Sequence, residues 1–215
     1  MASRTDQIPG GLLTLLLALA TNAMTLVGVI LWDWPAGNVF LLFTLENIAT
    51  MLLAYLVLRR TRAPKNALSP QFFLMHSGGF TLVHTIFTLI IAFMLGVEPA
   101  LDSLALPAAL LLLRFTIEVT GLIRATAHQK PPRPPGAIAG AYGRVFALHL
   151  GIFPGMFAGI ASLEAGGSSA TVDWLEPLLG FEPTYGQAVV VALMLIKSIA
   201  DVIVTIVLLK ARSDS

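Results

Sequence analysis

Five ionisable residues lie inside apolar stretches that are long enough to cross a lipid bilayer: Glu46, Arg114, Glu118, Lys197 and Asp201. A charged side chain at the centre of a membrane helix costs about 2.5–3.5 kcal/mol on insertion scales. Such residues therefore face the interior of a helix bundle, where they serve ion paths, proton relays or ligand sites. We expect these five residues to mark a site inside the membrane.

Two pairs among them lie four residues apart, Arg114 with Glu118 and Lys197 with Asp201. Residues at this spacing share one face of a helix, so each pair can neutralise itself. Glu46 has no such partner on its own segment. Because an apolar environment favours the neutral form of a lone carboxylate, its charge requires His84, Lys197 or a bound cation. Glu46 and the adjacent Asn47 are therefore the first candidates for binding a ligand or relaying a proton.

Three histidines suggest a second kind of chemistry. His76, His84 and His149 supply imidazoles, and Glu46 or Asp201 adds a carboxylate, a ligand set that suits iron, zinc, copper or nickel. His76 and His84 are eight residues apart, so they do not form the compact pair of a hydrolytic zinc site. His76 and His149 could instead hold one haem from two sides. The competing interpretation is that the histidines form hydrogen bonds between helices.

Other functions stay open beside a bound metal, haem or small polar ligand. Transport or proton relay is the first alternative, because carboxylates, a lysine and histidines lie along aligned polar faces. A structural or assembly subunit of a membrane complex, or a homo-oligomer, is the second. The chain contains no GxSxG, HExxH or P-loop motif, so an enzyme would have to depend on a metal held within the membrane.

The composition places these residues in a membrane protein. Of the 215 residues, 56% are hydrophobic and 12% are charged, whereas roughly 25% are charged in an ordinary soluble domain. No polar stretch is long enough to bury a separate soluble core, so we expect residues 1–215 to form one integral membrane domain. The net charge of +1 gives no sign of nucleic-acid binding. The absence of cysteine excludes disulfides and thiolate chemistry.

Six apolar segments each reach the ~20 residues that span the hydrocarbon core of a bilayer. They cover approximately residues 11–32, 37–58, 71–95, 103–126, 143–163 and 185–209. We therefore predict an all-α, polytopic bundle of six transmembrane helices in contact with lipid. In segment five, Gly151, Gly155 and Gly159 recur every fourth residue, a pattern that lets helix backbones pack closely.

The loop charges predict the orientation of this bundle. Basic residues precede segment one and follow segments two, four and six: Arg4, Arg59, Arg60, Arg62, Lys65, Arg124, Lys130, Arg133, Arg144, Lys210 and Arg212. The loops on the other side contain acidic residues and neither Lys nor Arg. The positive-inside rule therefore predicts that both termini are cytoplasmic and that the chain crosses the cell inner membrane.

Residue counts along each segment place several polar side chains at similar depths. At ~1.5 Å per residue, Glu46, His84, Arg114 and Lys197 lie near the middle of the membrane. We expect Glu46, His84 and Lys197 to approach one another across segments two, three and six. The predicted polar site is built from segments two, three, five and six.

Residues 72–87, with the sequence FFLMHSGGFTLVHTIF, are the longest of four pieces that resemble one known family. The other pieces are Leu45-Glu46-Asn47, RVFALH at 144–149 and KSIAD at 197–201. Together they are similar to an uncharacterised family of bacterial multi-pass membrane proteins, a domain of unknown function, over segments two to six. The resemblance implies importance for Glu46, Asn47, His76, His84, His149, Lys197 and Asp201, and it implies no activity. Segment four has no matching piece, so the resemblance implies nothing about Arg114 and Glu118.

Overall fold

The computed structural model describes residues 8–60, 69–98, 101–127 and 176–213, with positions 153, 156, 157, 160, 161, 163–166 and 171–173. Every regular element within these residues is a helix, and Thr171 and Thr184 add an isolated β-bridge. The helices are α1 (Ile8–Leu31), α2 (Ala36–Arg60), α3 (Pro70–Met94), α4 (Leu101–Ala127), α5 (Glu176–Leu179) and α6 (Tyr185–Ser213). The predicted all-helical architecture is confirmed for this part of the chain.

Five of these helices, all except the one-turn α5, are long and apolar enough to cross a membrane. Their apolar stretches are Leu12–Leu31, Ala36–Arg60, Pro70–Met94, Ser103–Gly121 and Tyr185–Ile206. They agree within a few residues with predicted segments one, two, three, four and six. Segment five, at 143–163, lies largely outside the described residues, as do Gly151, Gly155 and Gly159.

Local sequence determines where α3 begins and ends. The Ser69 hydroxyl accepts a hydrogen bond from the Phe72 N–H at 3.1 Å, and Pro70 occupies the first helical position, where its missing N–H costs nothing. After Met94 the backbone reaches Gly96 with φ of 84°, a left-handed conformation that glycine adopts without strain. These signals confine α3 to a length suited to one membrane crossing.

The contacts between helices define the bundle. α1 packs against α4 and α6, and α2 packs against α3, α4 and α6. α4 and α6 are therefore shared neighbours of α1 and α2. These four helices surround the interior that contains the charged residues, while α3 packs on the α2 side.

Large apolar side chains remain on the outer surface of this bundle. Examples are Met75, Phe93, Leu112 and Ile199, with exposed fractions of 80%, 71%, 68% and 60%. A soluble monomer rarely exposes apolar surface of this extent, because its hydration is unfavourable. The surface and the five apolar helices identify a multi-pass membrane protein whose outer face contacts the lipid bilayer.

Candidate functional site

The five charged side chains converge in one network at the centre of the bundle, which we call the charge network. Glu46 comes from α2, Arg114 and Glu118 come from α4, and Lys197 and Asp201 come from α6. Four of these residues are buried, and the side chain of Glu118 is 14% exposed. The bilayer favours this arrangement because polar faces must turn away from lipid.

Arg114 connects α4 to α2 and α6. Its Nη1 lies 2.9 Å from Glu46 Oε1, and its Nε donates to Glu118 Oε1 at 3.3 Å. Its Nη2 lies 3.9 Å from Asp201 Oδ1 on α6. A guanidinium has five N–H donors in a planar fork, so one Arg can serve carboxylates from several directions.

Lys197 is the second cation of the network. Its Nζ donates to Asn22 Oδ1 at 2.8 Å and to Asp201 Oδ2 at 2.9 Å, and it lies 3.2 Å from Glu46 Oε2. These three oxygens match the three N–H donors of an ammonium group. Lys197 is thus fully coordinated by side chains from α1, α2 and α6.

Asn22 on α1 is a member that the sequence patterns did not single out as a site residue. Its Oδ1 accepts from Lys197, and its Nδ2 donates to Ser198 Oγ at 3.1 Å and to Asp201 Oδ2 at 3.3 Å. The signal in the sequence was the position of the Asn22 amide on the polar face of an apolar segment. The network is therefore built from α1, α2, α4 and α6, whereas the sequence led us to expect segments two, three, five and six.

Glu46 occupies a special position in this network because it bridges the two cations. Each cation also has a carboxylate on its own helix: Glu118 for Arg114 and Asp201 for Lys197. These are the two pairs that the sequence spacing predicted. Among the described residues, three carboxylates share the two cations, so this set has a formal charge of −1 when every member is ionised.

Asn47 and His84 lie at the interface between α2 and α3. Asn47 is 2% exposed, and neither its Nδ2 nor its Oδ1 has a hydrogen-bond partner among the residues that the structure describes. His84 is buried on α3 and stacks on Phe80 with ring centroids 6.4 Å apart. Because α2 and α3 are antiparallel, with Gly37 bonded to Gly96 at one end, His84 lies within about one turn of the level of Asn47.

The histidines do not assemble a metal site within the described residues. His76 is exposed on α3 and stacks on Phe72 at 5.6 Å, whereas His84 is buried. No group of three His, Cys, Asp or Glu side chains that could hold a metal ion occurs in the part of the chain that the structure describes. His149 lies outside that part. The predicted metal or haem site has no support from these residues.

A small cavity adjoins the charge network between α1, α2, α4 and α6. About 20 Å³ of it is open to the centre of a water-sized sphere, which is enough for one water molecule. Its polar walls come from Thr21, Asn22, Thr25, Glu46 and Lys197. Glu46, which bridges the two cations, therefore lies beside a space of the size of one water molecule.

The fold and this site define a multi-pass membrane protein with a buried network of ionisable side chains. The chain belongs to a family of unknown function, DUF6498, whose model matches residues 5–214. This confirms the resemblance drawn from the four sequence pieces and extends it to nearly the whole chain, including α4. A search of curated proteins and a search of solved structures found no match.

Proposed function

We propose that this membrane protein binds and relays protons at Glu46, as a small proton-relay or proton-coupled transport protein. The observation that carries the proposal is the bridging position of Glu46 between Arg114 and Lys197. When Glu46 takes up a proton, Arg114 keeps Glu118 and Lys197 keeps Asp201. Two cations and two carboxylates then remain, so the protonated state of this set is neutral and suits a low-dielectric interior.

The positions of the other groups support a route through the bundle. The cavity adjoins Glu46, and Arg114, which does not itself release a proton, holds Glu46 and Glu118 close to one another by contacts of 2.9 and 3.3 Å. Glu118 lies about 6 Å further along α4 than Arg114 and has the most exposed side chain of the network. Ionisable groups that succeed one another along the membrane normal are typical of proton relays.

The test measures proton flux into proteoliposomes with a pH-sensitive dye under an imposed membrane potential. Wild-type protein should acidify the lumen faster than empty liposomes, and Glu46→Gln should reduce the rate to that of empty liposomes. Glu98→Gln is the matched control, because Glu98 is exposed and belongs to no contact of the network. Equal rates for wild type and Glu46→Gln would refute the proposal.

A structural clamp is the second candidate function. The contacts of Asn22, Glu46, Arg114 and Lys197 join α1, α2, α4 and α6 at one level. Such a clamp would fix the register of the helices for a structural or assembly subunit, as buried polar groups do in some helical assemblies. Wild-type liposomes without proton flux, combined with helix dissociation in Glu46→Gln, would favour the clamp.

For the topology we propose six crossings of the inner membrane, both termini in the cytoplasm, and one integral domain over residues 1–215. Asn38 at the start of α2 donates to Ser103 at the start of α4, and Gln187 at the start of α6 donates to the Val29 carbonyl near the end of α1. Since α1 ends at Leu31 and α2 begins at Ala36, the end of α1 and the start of α2 lie at one end of the bundle. α4 and α6 therefore begin at that same end. Residues 128–184 must return to that end, which supports a crossing by segment five at 143–163. The family match over residues 5–214 supports a single domain.

A further inference from the structure

The cavity beside Glu46 has the polar atoms that a bound water requires. The hydroxyls of Thr21 and Thr25 each donate to the carbonyl four residues earlier, both at 2.8 Å. Each hydroxyl oxygen therefore keeps lone pairs that can accept a hydrogen bond. Glu46 also lines the cavity, so these three residues can supply up to three acceptors to the two O–H donors of one water, and a buried water typically makes about three hydrogen bonds.

Lys197 argues against a metal cation in the same space. Lys197 lines the cavity, and its ammonium group would repel a second positive charge nearby. A neutral molecule of the size of water has no such penalty. The cavity volume of about 20 Å³ excludes larger ligands without a rearrangement of the helices.

The apolar walls of the cavity lie on one side of Glu46, and Val39, Phe43 and Met194 among them belong to the buried apolar core. From the level of Glu46 the cavity extends past Leu42 to Val39, which lies one turn from the start of α2 at Ala36. On α4 it is bounded by Pro107 and Leu111, also on the side of the helix start. Glu118 lies on the other side of the network, toward the end of α4. The two sides of the network thus have different surroundings.

We infer that this cavity binds one water molecule that exchanges protons with Glu46. The inference rests on the proposed proton binding by Glu46 and adds the proton donor. The water donates to the carboxylate and to a threonine hydroxyl. It gives one proton to Glu46 while it takes up another from the solvent, which leaves a neutral carboxylic acid and the same water, so that atoms and charge balance.

The test follows hydrogen–deuterium exchange of the Glu46 carboxylic acid by infrared spectroscopy on lipid films moved from H₂O to D₂O. Leu111→Phe places a ring in the cavity, and Leu112→Phe is the matched control because Leu112 faces outward and is 68% exposed. Leu111→Phe should slow the isotope shift of the band by about 100-fold, the scale of a lost positioned proton donor. Leu112→Phe should exchange at the wild-type rate.

A second pair of variants keeps the test decisive if Leu111→Phe does not fold. Thr25→Val removes a hydroxyl from the wall at nearly constant volume, and Thr116→Val removes an exposed hydroxyl that donates to the Leu112 carbonyl at 2.7 Å. Only Thr25→Val should slow the exchange. A normal Glu46 band that exchanges at the wild-type rate in both cavity variants would overturn this inference alone. A wild type without any Glu46 acid band would overturn the proposed function together with it.

Discussion

At the residue scale, Glu46 combines two properties that seldom coexist in a membrane interior. It pairs with two cations from different helices, yet both cations retain another carboxylate when Glu46 becomes neutral. A buried ion pair that loses one partner usually leaves an uncompensated charge, at a cost of about 3–5 kcal/mol. Because Glu118 and Asp201 remain as second carboxylates, we expect this penalty to be small when Glu46 changes its protonation state, as the proposed function requires.

A stability measurement on Asn47 tests whether its buried side-chain amide binds a polar partner. Both of its polar side-chain atoms lack a partner within the described part of the chain, so Asn47→Leu should leave the free energy of unfolding unchanged or raise it by ~1 kcal/mol. Asn38→Leu is the control, because the Asn38 amide bonds with Glu98 and Ser103 and its loss should cost about 1–3 kcal/mol. Denaturant unfolding in detergent measures both. A loss above ~1 kcal/mol for Asn47→Leu would mean that the amide binds a polar ligand or water.

Sequence patterns predicted much of the charge network at this scale. The spacing of Arg114 with Glu118 and of Lys197 with Asp201 predicted both pairs within helices, because residues four apart share a helix face. The partners of Glu46 were not predictable in full, since the side chain that meets it depends on how α2 packs on α4 and α6. Asn22 was missed for the same reason, because its contacts with Lys197 and Ser198 cross from α1 to α6.

At the scale of helices, α2 contacts the end of α3 directly through the backbone of Gly37. The Gly37 N–H donates to the Gly96 carbonyl at 3.1 Å, and a Cβ at position 37 would overlap the carbonyl oxygens of Ala92 and Gly96. These neighbours are backbone carbonyl groups, which cannot move aside as the end of a flexible side chain could. This contact therefore sets the spacing of α2 and α3 near the end where Asn38 joins α4.

Replacement of Gly37 should separate these helices. Gly37→Ala is expected to lower the free energy of unfolding by about 1–3 kcal/mol, the usual cost of overpacking. Gly79→Ala is the matched control, because Gly79 lies within α3 and a Cβ added there would meet no neighbouring atom within 4 Å. That change should raise stability by about 0.5–1 kcal/mol, since alanine favours the helix. Equal effects of the two substitutions would show that the close approach at Gly37 is not needed.

Helix positions were more predictable than helix neighbours. Apolar length alone located five membrane-spanning helices, because a bilayer of fixed thickness requires about 20 apolar residues per crossing. The same pattern does not determine which polar face meets which other face. Thus α1 and α4 carry network residues, although the predicted site was built from segments two, three, five and six.

At the scale of the whole molecule, the basic and acidic loops predict the topology. Reporter fusions after Lys65 and Lys130 should give a cytoplasmic signal, and a fusion after Ser168 should give an external signal. The first two positions lie in basic loops and the third lies in an acidic loop. An external signal at Lys65 or Lys130 would contradict the orientation. A cytoplasmic signal at Ser168 would contradict the crossing by segment five.

The proposed function of the whole molecule depends on whether Glu46 exchanges a proton within the folded bundle. Infrared difference spectra of the protein in lipid, recorded across a pH series, detect the C=O stretch of a protonated carboxylic acid directly. We predict an acid band that grows as the pH falls, that is missing in Glu46→Gln and that persists in Glu98→Gln. Identical difference spectra for wild type and Glu46→Gln at every pH would contradict proton binding at Glu46.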